Sequence, residues 1–120
     1  MYSVKFYTTA RGECPFEAFL DGAQPKVKAK FINLLSLLEE HGPGLKRPYA
    51  DLLRDGIREL RVRSRHSRFR ALYFFIMGRH IIITHGILKN MERVPWVEIE
   101  RAISCRRDFE ERLGRGEASL

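Results

Sequence analysis

The sequence lacks the features that mark secreted, membrane-spanning or zinc-binding proteins. Its two cysteines, Cys14 and Cys105, lie too far apart for a zinc motif and are too few for a disulfide framework. No stretch approaches about eighteen apolar residues, and the first residues lack the basic segment and apolar run of a signal peptide. We therefore expect a cytoplasmic protein with reduced cysteines and no membrane partner.

Repeats and low-complexity segments are also missing, and acidic residues are the minority among the charged ones. The 120 residues include 22 Lys and Arg against 15 Asp and Glu, a net charge of +7. A chain of this length forms one domain that can fold without disulfides or metal. We assign this domain to residues 1–114 and expect 115–120 to be a frayed tail. The positive charge favours an anionic partner, either a nucleic acid or an acidic protein.

The hydrophobic pattern predicts an α+β fold with the element order βααβββα. A first strand is predicted around residues 4–8, where apolar and polar residues alternate. Proline at the first helical position and a following stop signal predict a short helix at 15–21. Apolar residues at helical spacing then predict a longer core helix from 25 to about 41.

The second half of the chain predicts three strands and a last helix. The strands fall at about 57–64, 69–76 and 81–89, and the links between them are short enough for hairpins. The helix runs from about 96 to a glycine stop at 114. The expected architecture is therefore a mainly antiparallel four-stranded sheet packed against helices.

Six arginines lie between positions 58 and 70, the densest charge in the chain. Because side chains alternate along a strand, Arg61 and Arg63 share one face, and Arg70 projects from the next strand. A guanidinium group matches phosphate oxygens, so three arginines on adjacent strands favour a polyphosphate partner, with RNA or DNA first. Arg65 and Arg68 belong to the turn or its edge. The alternative is a solvated polar sheet face.

A second concentration of polar residues follows the last predicted strand, between Thr84 and Pro95. Loops held between rigid elements are common places for function. Gly86 would allow a bulge or a close approach of the backbone to a neighbour. The alternative is that Lys89 and Arg93 are solvated turn residues and that His85 is a hydrogen-bonded strand residue.

Three motifs in fixed order resemble a known family. They are Asp-Gly-x-x-Glu-Leu-Arg at 55–61, Arg-x-x-Tyr at 70–73 and His-Gly-x-x-Lys at 85–89, followed by Pro95, Ile-Glu-Arg-Ala at 99–102, Arg106 and Asp-Phe at 108–109. With the predicted element order, they resemble the phage-derived HigB-like branch of the RelE/ParE toxin superfamily over roughly residues 50 to 110. The sequence departs from the family at Arg58, where a large apolar residue is usual, and at Asn90, which replaces the second lysine of a common pair.

The resemblance implies a RelE-like fold and the toxin of a type II toxin–antitoxin system. Most such toxins cut mRNA on the ribosome by attack of the RNA 2′-hydroxyl on the adjacent phosphate, with no metal or other cofactor. The implied partners are mRNA on the ribosome and a cognate antitoxin, a small helix-turn-helix protein encoded nearby. The alternatives are a ParE-like toxin that targets DNA gyrase and a non-enzymatic basic nucleic-acid-binding module or inactive toxin.

The resemblance also implies roles for single residues. Arg61 and Arg70 would stabilise the extra negative charge of the phosphorane, and Lys89 or Arg93 would act at the leaving 5′-oxygen. His85 would serve as general base or acid, or else fix the strand end. Tyr73 would contact a base or phosphate, or else be a packed strand aromatic. The predicted catalytic residues are Arg61, Arg70, His85 and Lys89. The predicted RNA or ribosome contacts are Arg63, Arg65, Arg68, Tyr73 and Arg93.

Overall fold

A computed structural model of the chain describes residues 1–88, 90 and 93–120, and it has an α+β fold. In chain order the elements are β1 (Ser3–Phe6), α1 (Pro15–Asp21), α2 (Pro25–His41), a short 3₁₀ turn (Gly42–Gly44), β2 (Ala50–Arg54), β3 (Ile57–Ser64), β4 (Ser67–Ile76), β5 (His80–Leu88) and α3 (Trp96–Gly114). The predicted helices and strands are all present, and β2 is an additional strand. None of the helices in the described part of the chain is long and apolar enough to cross a membrane.

The sheet has five strands in the order β1-β5-β4-β3-β2, so the prediction of four strands was wrong. The pairs β2–β3, β3–β4 and β4–β5 are antiparallel, but β1 lies parallel to β5, which makes the sheet mixed. The sequence of β2, Ala-Asp-Leu-Leu-Arg, has no apolar and polar alternation that would mark a strand. It is an edge strand that depends on β3 for its pairing.

Both faces of the sheet carry a hydrophobic core. On one face α1 and α2 cover residues that include Leu60, Ala71 and Tyr73. On the other face α3 covers residues that include Leu72, Phe74 and Ile82. The molecule therefore has three layers, and strand parity decides which of them a side chain enters.

A β-bulge in β5 decides which of its residues face α3. The β4–β5 register passes from Leu72 opposite His85 to Tyr73 opposite Ile83, so Thr84 is the extra residue. The Thr84 hydroxyl donates to the Leu72 carbonyl oxygen at 3.2 Å. The bulge thereby directs His85 to the α3 side of the sheet.

Gly86 lies on the opposite side, against α1. A Cβ atom at this position would overlap the ring of Phe19. The predicted close backbone approach at Gly86 is therefore confirmed, and it allows α1 to pack directly on β5.

Polar contacts fix the C-terminal part of α3 to the start of the sheet. The Tyr7 hydroxyl donates to the Asp108 carboxylate, and the Arg112 guanidinium donates both to Asp108 and to the Thr8 carbonyl oxygen. After α3, the Ser119 carbonyl oxygen accepts a hydrogen bond from Lys5 Nζ. Ser119, within the segment 115–120 for which a frayed tail is expected, thus contacts Lys5 of β1.

Candidate functional site: an arginine-lined cleft

A cleft of about 630 Å³ lies at the end of the sheet where the β3–β4 hairpin turns. We call it the arginine cleft, because six of its nine lining residues are arginine. The lining residues are Arg47, Pro48, Arg61, Val62, Arg63, Arg68, Phe69, Arg70 and Arg93. By strand parity, the arginines of β3 and β4 share the sheet face on which α3 packs.

Strand register places like charges directly opposite each other in this cleft. Arg61 pairs with Arg70, and Arg63 pairs with Arg68. Like charges directly opposite across an antiparallel pair are destabilising. Glu59 offsets the charge of Arg61 and Arg70, and an anion in the cleft would offset that of Arg63 and Arg68.

A buried carboxylate lies beneath the arginines. Glu59 is 3% exposed and Arg70 is 2% exposed, and Arg70 Nη1 donates to Glu59 Oε1 at 2.8 Å. Burial raises the pKa of the Glu59 carboxyl, and the charges of Arg70 and Arg61 oppose that rise. Glu59 is thus a buried counterion for Arg70.

Arg61 is more accessible than Arg70. Its side chain is 32% exposed, and its Nε lies 3.9 Å from Glu59 Oε1. Arg61 can therefore meet a ligand in the cleft while Arg70 supplies charge from below.

Arg47 joins the cleft from the segment before β2, and the sequence reasoning missed it. Its Nε and Nη2 donate to Asp51 Oδ2 at 2.9 and 2.7 Å, which lowers the pKa of the Asp51 carboxyl. The Arg61 amide donates to the Tyr49 carbonyl oxygen at 2.8 Å, so backbone pairing continues past β2 toward Arg47. The basic pair at residues 46–47 is visible in the sequence. Its place beside the cleft can be predicted only when β2 is recognised as a strand next to β3.

The structure brings together five of the nine predicted site residues. These are Arg61, Arg63, Arg68, Arg70 and Arg93. Arg65 is exposed in the hairpin turn with a φ of 55° and does not line the cleft. Lys89 lies outside the described residues. In the part of the chain that is described, no three His, Cys, Asp or Glu side chains are grouped so that they could hold a metal ion.

His85 lies away from the cleft, buried beneath α3. The side chain is 1% exposed, with Nδ1 at 2.9 Å from Thr84 Oγ1 and Nε2 at 3.0 Å from Glu98 Oε1. Burial lowers the pKa of this imidazole to about 4, the charge of Arg101 adds to the effect, and Glu98 opposes it. The geometry supports the alternative role for His85, which is to fix the end of β5 to α3.

Tyr73 is likewise a core residue rather than part of the cleft. It is fully buried on the α1 and α2 side of the sheet, with its ring centroid 5.9 Å from that of Phe75. Burial raises the pKa of its hydroxyl to about 12. The geometry supports the packed strand aromatic that sequence reasoning gave as the alternative.

The two departures from the family pattern have structural roles. The Arg58 guanidinium lies 5.4 Å from the ring centroid of Phe75, on the sheet face opposite the cleft arginines. Asn90 Oδ1 accepts a hydrogen bond from the Arg68 amide at 3.0 Å, which ties the loop after β5 to the start of β4. Arg58 therefore lies outside the cleft, and Asn90 contacts the backbone of Arg68, one of its lining residues.

A family model for phage-derived Gp49-like proteins (DUF891) matches residues 18–107, three quarters of the chain. The chain belongs to this family. Gp49-like proteins are associated with toxin–antitoxin systems. A search of curated proteins gave no significant match. The matched residues include the whole lining of the arginine cleft, so the cleft is part of the Gp49-like domain.

Proposed function

We propose that this Gp49-like protein is the toxin of a type II toxin–antitoxin pair and that it cleaves mRNA on the ribosome. The observation that carries the proposal is the pairing of Arg61 with Arg70 and of Arg63 with Arg68 inside one cleft. Successive RNA phosphates place negative charge between these rows, where planar guanidinium groups match their oxygens. Family membership supplies the toxin–antitoxin context, and the likeness to HigB-like toxins supplies the reaction.

The proposed reaction is an internal phosphoryl transfer within the RNA. The 2′-oxygen attacks the adjacent phosphorus, and the bond from phosphorus to the 5′-oxygen breaks. The 2′-hydroxyl loses its proton and the 5′-oxygen gains one, so the products are a 2′,3′-cyclic phosphate and a 5′-hydroxyl. The phosphorane carries more negative charge than the phosphate, and fixed cations that stabilise it lower the barrier by several kcal/mol.

The arrangement of the cleft suggests different roles for its arginines. Arg61, the more exposed, contacts the phosphate that reacts. Arg70, held by Glu59, adds positive charge from a fixed position beneath it. The remaining lining arginines hold neighbouring phosphates, and they are Arg47, Arg63, Arg68 and Arg93. His85 is left out of the proton transfers because it is buried and hydrogen-bonded away from the cleft.

Induced expression of the protein alone tests the proposal. We expect growth arrest and mRNA cut within ribosome-protected segments, with 5′-hydroxyl ends, and we expect Arg61→Ala to abolish both effects. Arg79→Ala is the matched control, because Arg79 lies in the β4–β5 turn at the other end of the sheet. Intact messages during growth arrest would contradict nuclease activity. If DNA supercoiling were then impaired, the gyrase-directed alternative would replace it.

Co-expression of a neighbouring helix-turn-helix protein tests the toxin–antitoxin assignment. We expect growth to be restored and the two proteins to purify together. If the Gp49-like protein binds RNA but neither arrests growth nor cuts mRNA, it is instead the non-enzymatic binding module.

A further inference from the structure

A second groove lies along the other edge of the sheet, between β1 and α1. Its volume is about 580 Å³. It is lined by Val4, Phe6, Thr8, Gly12, Cys14, Glu17, Ala18 and Asp21. Apolar side chains of β1 thus face two carboxylates of α1 across the groove.

The free edge of β1 borders this groove. The amides of Ser3 and Tyr7 donate inward to carbonyl oxygens of Arg79 and Ile83, at 2.9 and 2.8 Å. Backbone groups of a strand alternate in direction, so the amides and carbonyls of Val4 and Phe6 point outward. Outward N–H and C=O groups on an edge strand are a template for a further strand.

The charge of the groove is opposite to that of the protein. Glu17 and Asp21 line it, with Lys28 Nζ 3.8 Å from Asp21 Oδ1, whereas the whole chain has a net charge of +7. These carboxylates disfavour a nucleic acid and favour a cationic guest. A second copy of the chain is disfavoured too, because pairing of β1 with β1 would bring the carboxylates of both copies to one edge.

We propose that this groove binds an extended protein segment whose groove-facing residues, every second position of the strand, include both apolar and basic side chains. The segment adds to the sheet as a strand on β1 and exchanges backbone hydrogen bonds with Val4 and Phe6. Its groove-facing apolar side chains pack between β1 and α1, and its groove-facing basic side chains meet Glu17 and Asp21. The arginine cleft lies on the opposite sheet face and toward the opposite edge, so RNA and this segment can be bound together.

The probe is a labelled synthetic peptide of about nine residues in which valine and lysine take turns at every second position and serine fills the positions between, with binding followed by fluorescence anisotropy. We expect Glu17→Lys with Asp21→Lys to weaken binding by at least about tenfold, since two exposed ion pairs are replaced by repulsion. The matched control is Glu40→Lys with Glu110→Lys, two exposed helix positions outside the groove. Equal affinity of the two double variants would overturn the proposal, as would a wild-type protein that does not bind the peptide.

Val4→Pro tests the strand addition itself. Proline removes an outward N–H and leaves the β1–β5 hydrogen bonds in place, so we expect peptide binding to be lost and RNA binding to be retained. Unchanged peptide binding in a folded Val4→Pro protein would overturn the strand model. The wild-type protein could instead form a dimer that Val4→Pro abolishes and with which the peptide does not compete. That result would assign the edge to a second copy of the chain. Arg61→Ala should leave peptide affinity unchanged, so failure of the nuclease proposal is separable from failure of this one.

Discussion

At the scale of single residues, the buried pair of Glu59 and Arg70 makes folding and charge in the cleft interdependent. Removing one partner of a buried ion pair leaves an uncompensated charge and costs about 3–5 kcal/mol. We expect Glu59→Ala and Arg70→Ala each to lower the free energy of unfolding by an amount of this order, measured by denaturant titration. The double variant Glu59→Leu with Arg70→Met should recover part of the loss, whereas strictly additive losses would contradict the coupling.

This coupling decides which arginine is the better probe of activity. An Arg70→Ala protein that failed to arrest growth could simply be unfolded, because Arg70 is almost fully buried against Glu59. Arg61 is one third exposed, so its removal leaves more of the fold intact. Loss of activity in a folded Arg61→Ala protein is therefore the more informative result.

His85 predicts a pH dependence of stability. The pKa of its imidazole falls from 6.5 in the unfolded chain to about 4 in the folded protein, so the unfolded chain binds the proton first. Stability should be fully present above pH 6.5 and decrease as the pH falls toward 4, by up to the order of 3 kcal/mol.

The measurement is the free energy of unfolding of wild type and His85→Gln across this pH range. The difference between the two proteins should change with pH, and His66→Gln, in the exposed hairpin turn, is the matched control. A constant difference across the range would show that His85 is not the group responsible.

At the scale of elements, the contact of α1 with β5 depends on Gly86. A methyl group there would overlap the Phe19 ring, so Gly86→Ala must displace the ring and the helix that carries it. We expect a loss of about 1–3 kcal/mol in the free energy of unfolding, and partial recovery when Phe19→Leu makes room. Gly44→Ala is the control, because nothing lies within 4 Å of the added atom. Equal effects of the two glycine substitutions would contradict the overlap.

Local pattern predicted elements but not all of their pairings. Helical spacing predicted the observed bounds of α2, and strand alternation predicted the central residues of β3, β4 and β5. The edge strand β2 lacks alternation of apolar and polar residues. The parallel partner of β1 is β5, which comes much later in the sequence. β2 joins β3 through the hairpin turn Asp55-Gly56, with positive φ at both residues, which is a local signal. The pairing of β1 with β5 is long-range, and no short window of sequence contains it. The bulge at Thr84 depends on the register between β4 and β5, which the sequence pattern does not show either. This bulge turns His85 toward α3.

At the scale of the whole molecule, six of the 22 basic side chains line one cleft, which predicts stabilisation by polyanions. A ligand that binds only the folded state at 100 times its Kd adds about 2.7 kcal/mol of stability. We expect tripolyphosphate to raise the thermal midpoint measured by scanning fluorimetry. Arg63→Gln should raise the midpoint without the anion, because it removes one repulsive pair, and should reduce the effect of the anion.

Arg79→Gln is the matched control for this measurement. It should change neither the midpoint without tripolyphosphate nor the shift that tripolyphosphate causes. If tripolyphosphate raised the midpoints of all three proteins equally, binding would be spread over the surface rather than located in the cleft.

Strand parity also located part of the cleft. It placed Arg61 and Arg63 on one face, and Arg70 on the next strand, as the structure has them. Parity does not give burial, so it could not place His85 and Tyr73 in the interior. It does not give strand register either, so the contact of Glu59 with Arg70 could not be derived.

The parallel pairing of β1 with β5 has a consequence for the order in which the protein is made. β1 leaves the ribosome before β5, and Ser3 pairs with His80, which is synthesised much later. Until β5 emerges, the nascent chain lacks the strand on which β1 and α1 both pack. The cleft also needs Arg93, which follows β5 in the chain. A nascent chain that ends before Arg93 therefore cannot present the complete cleft.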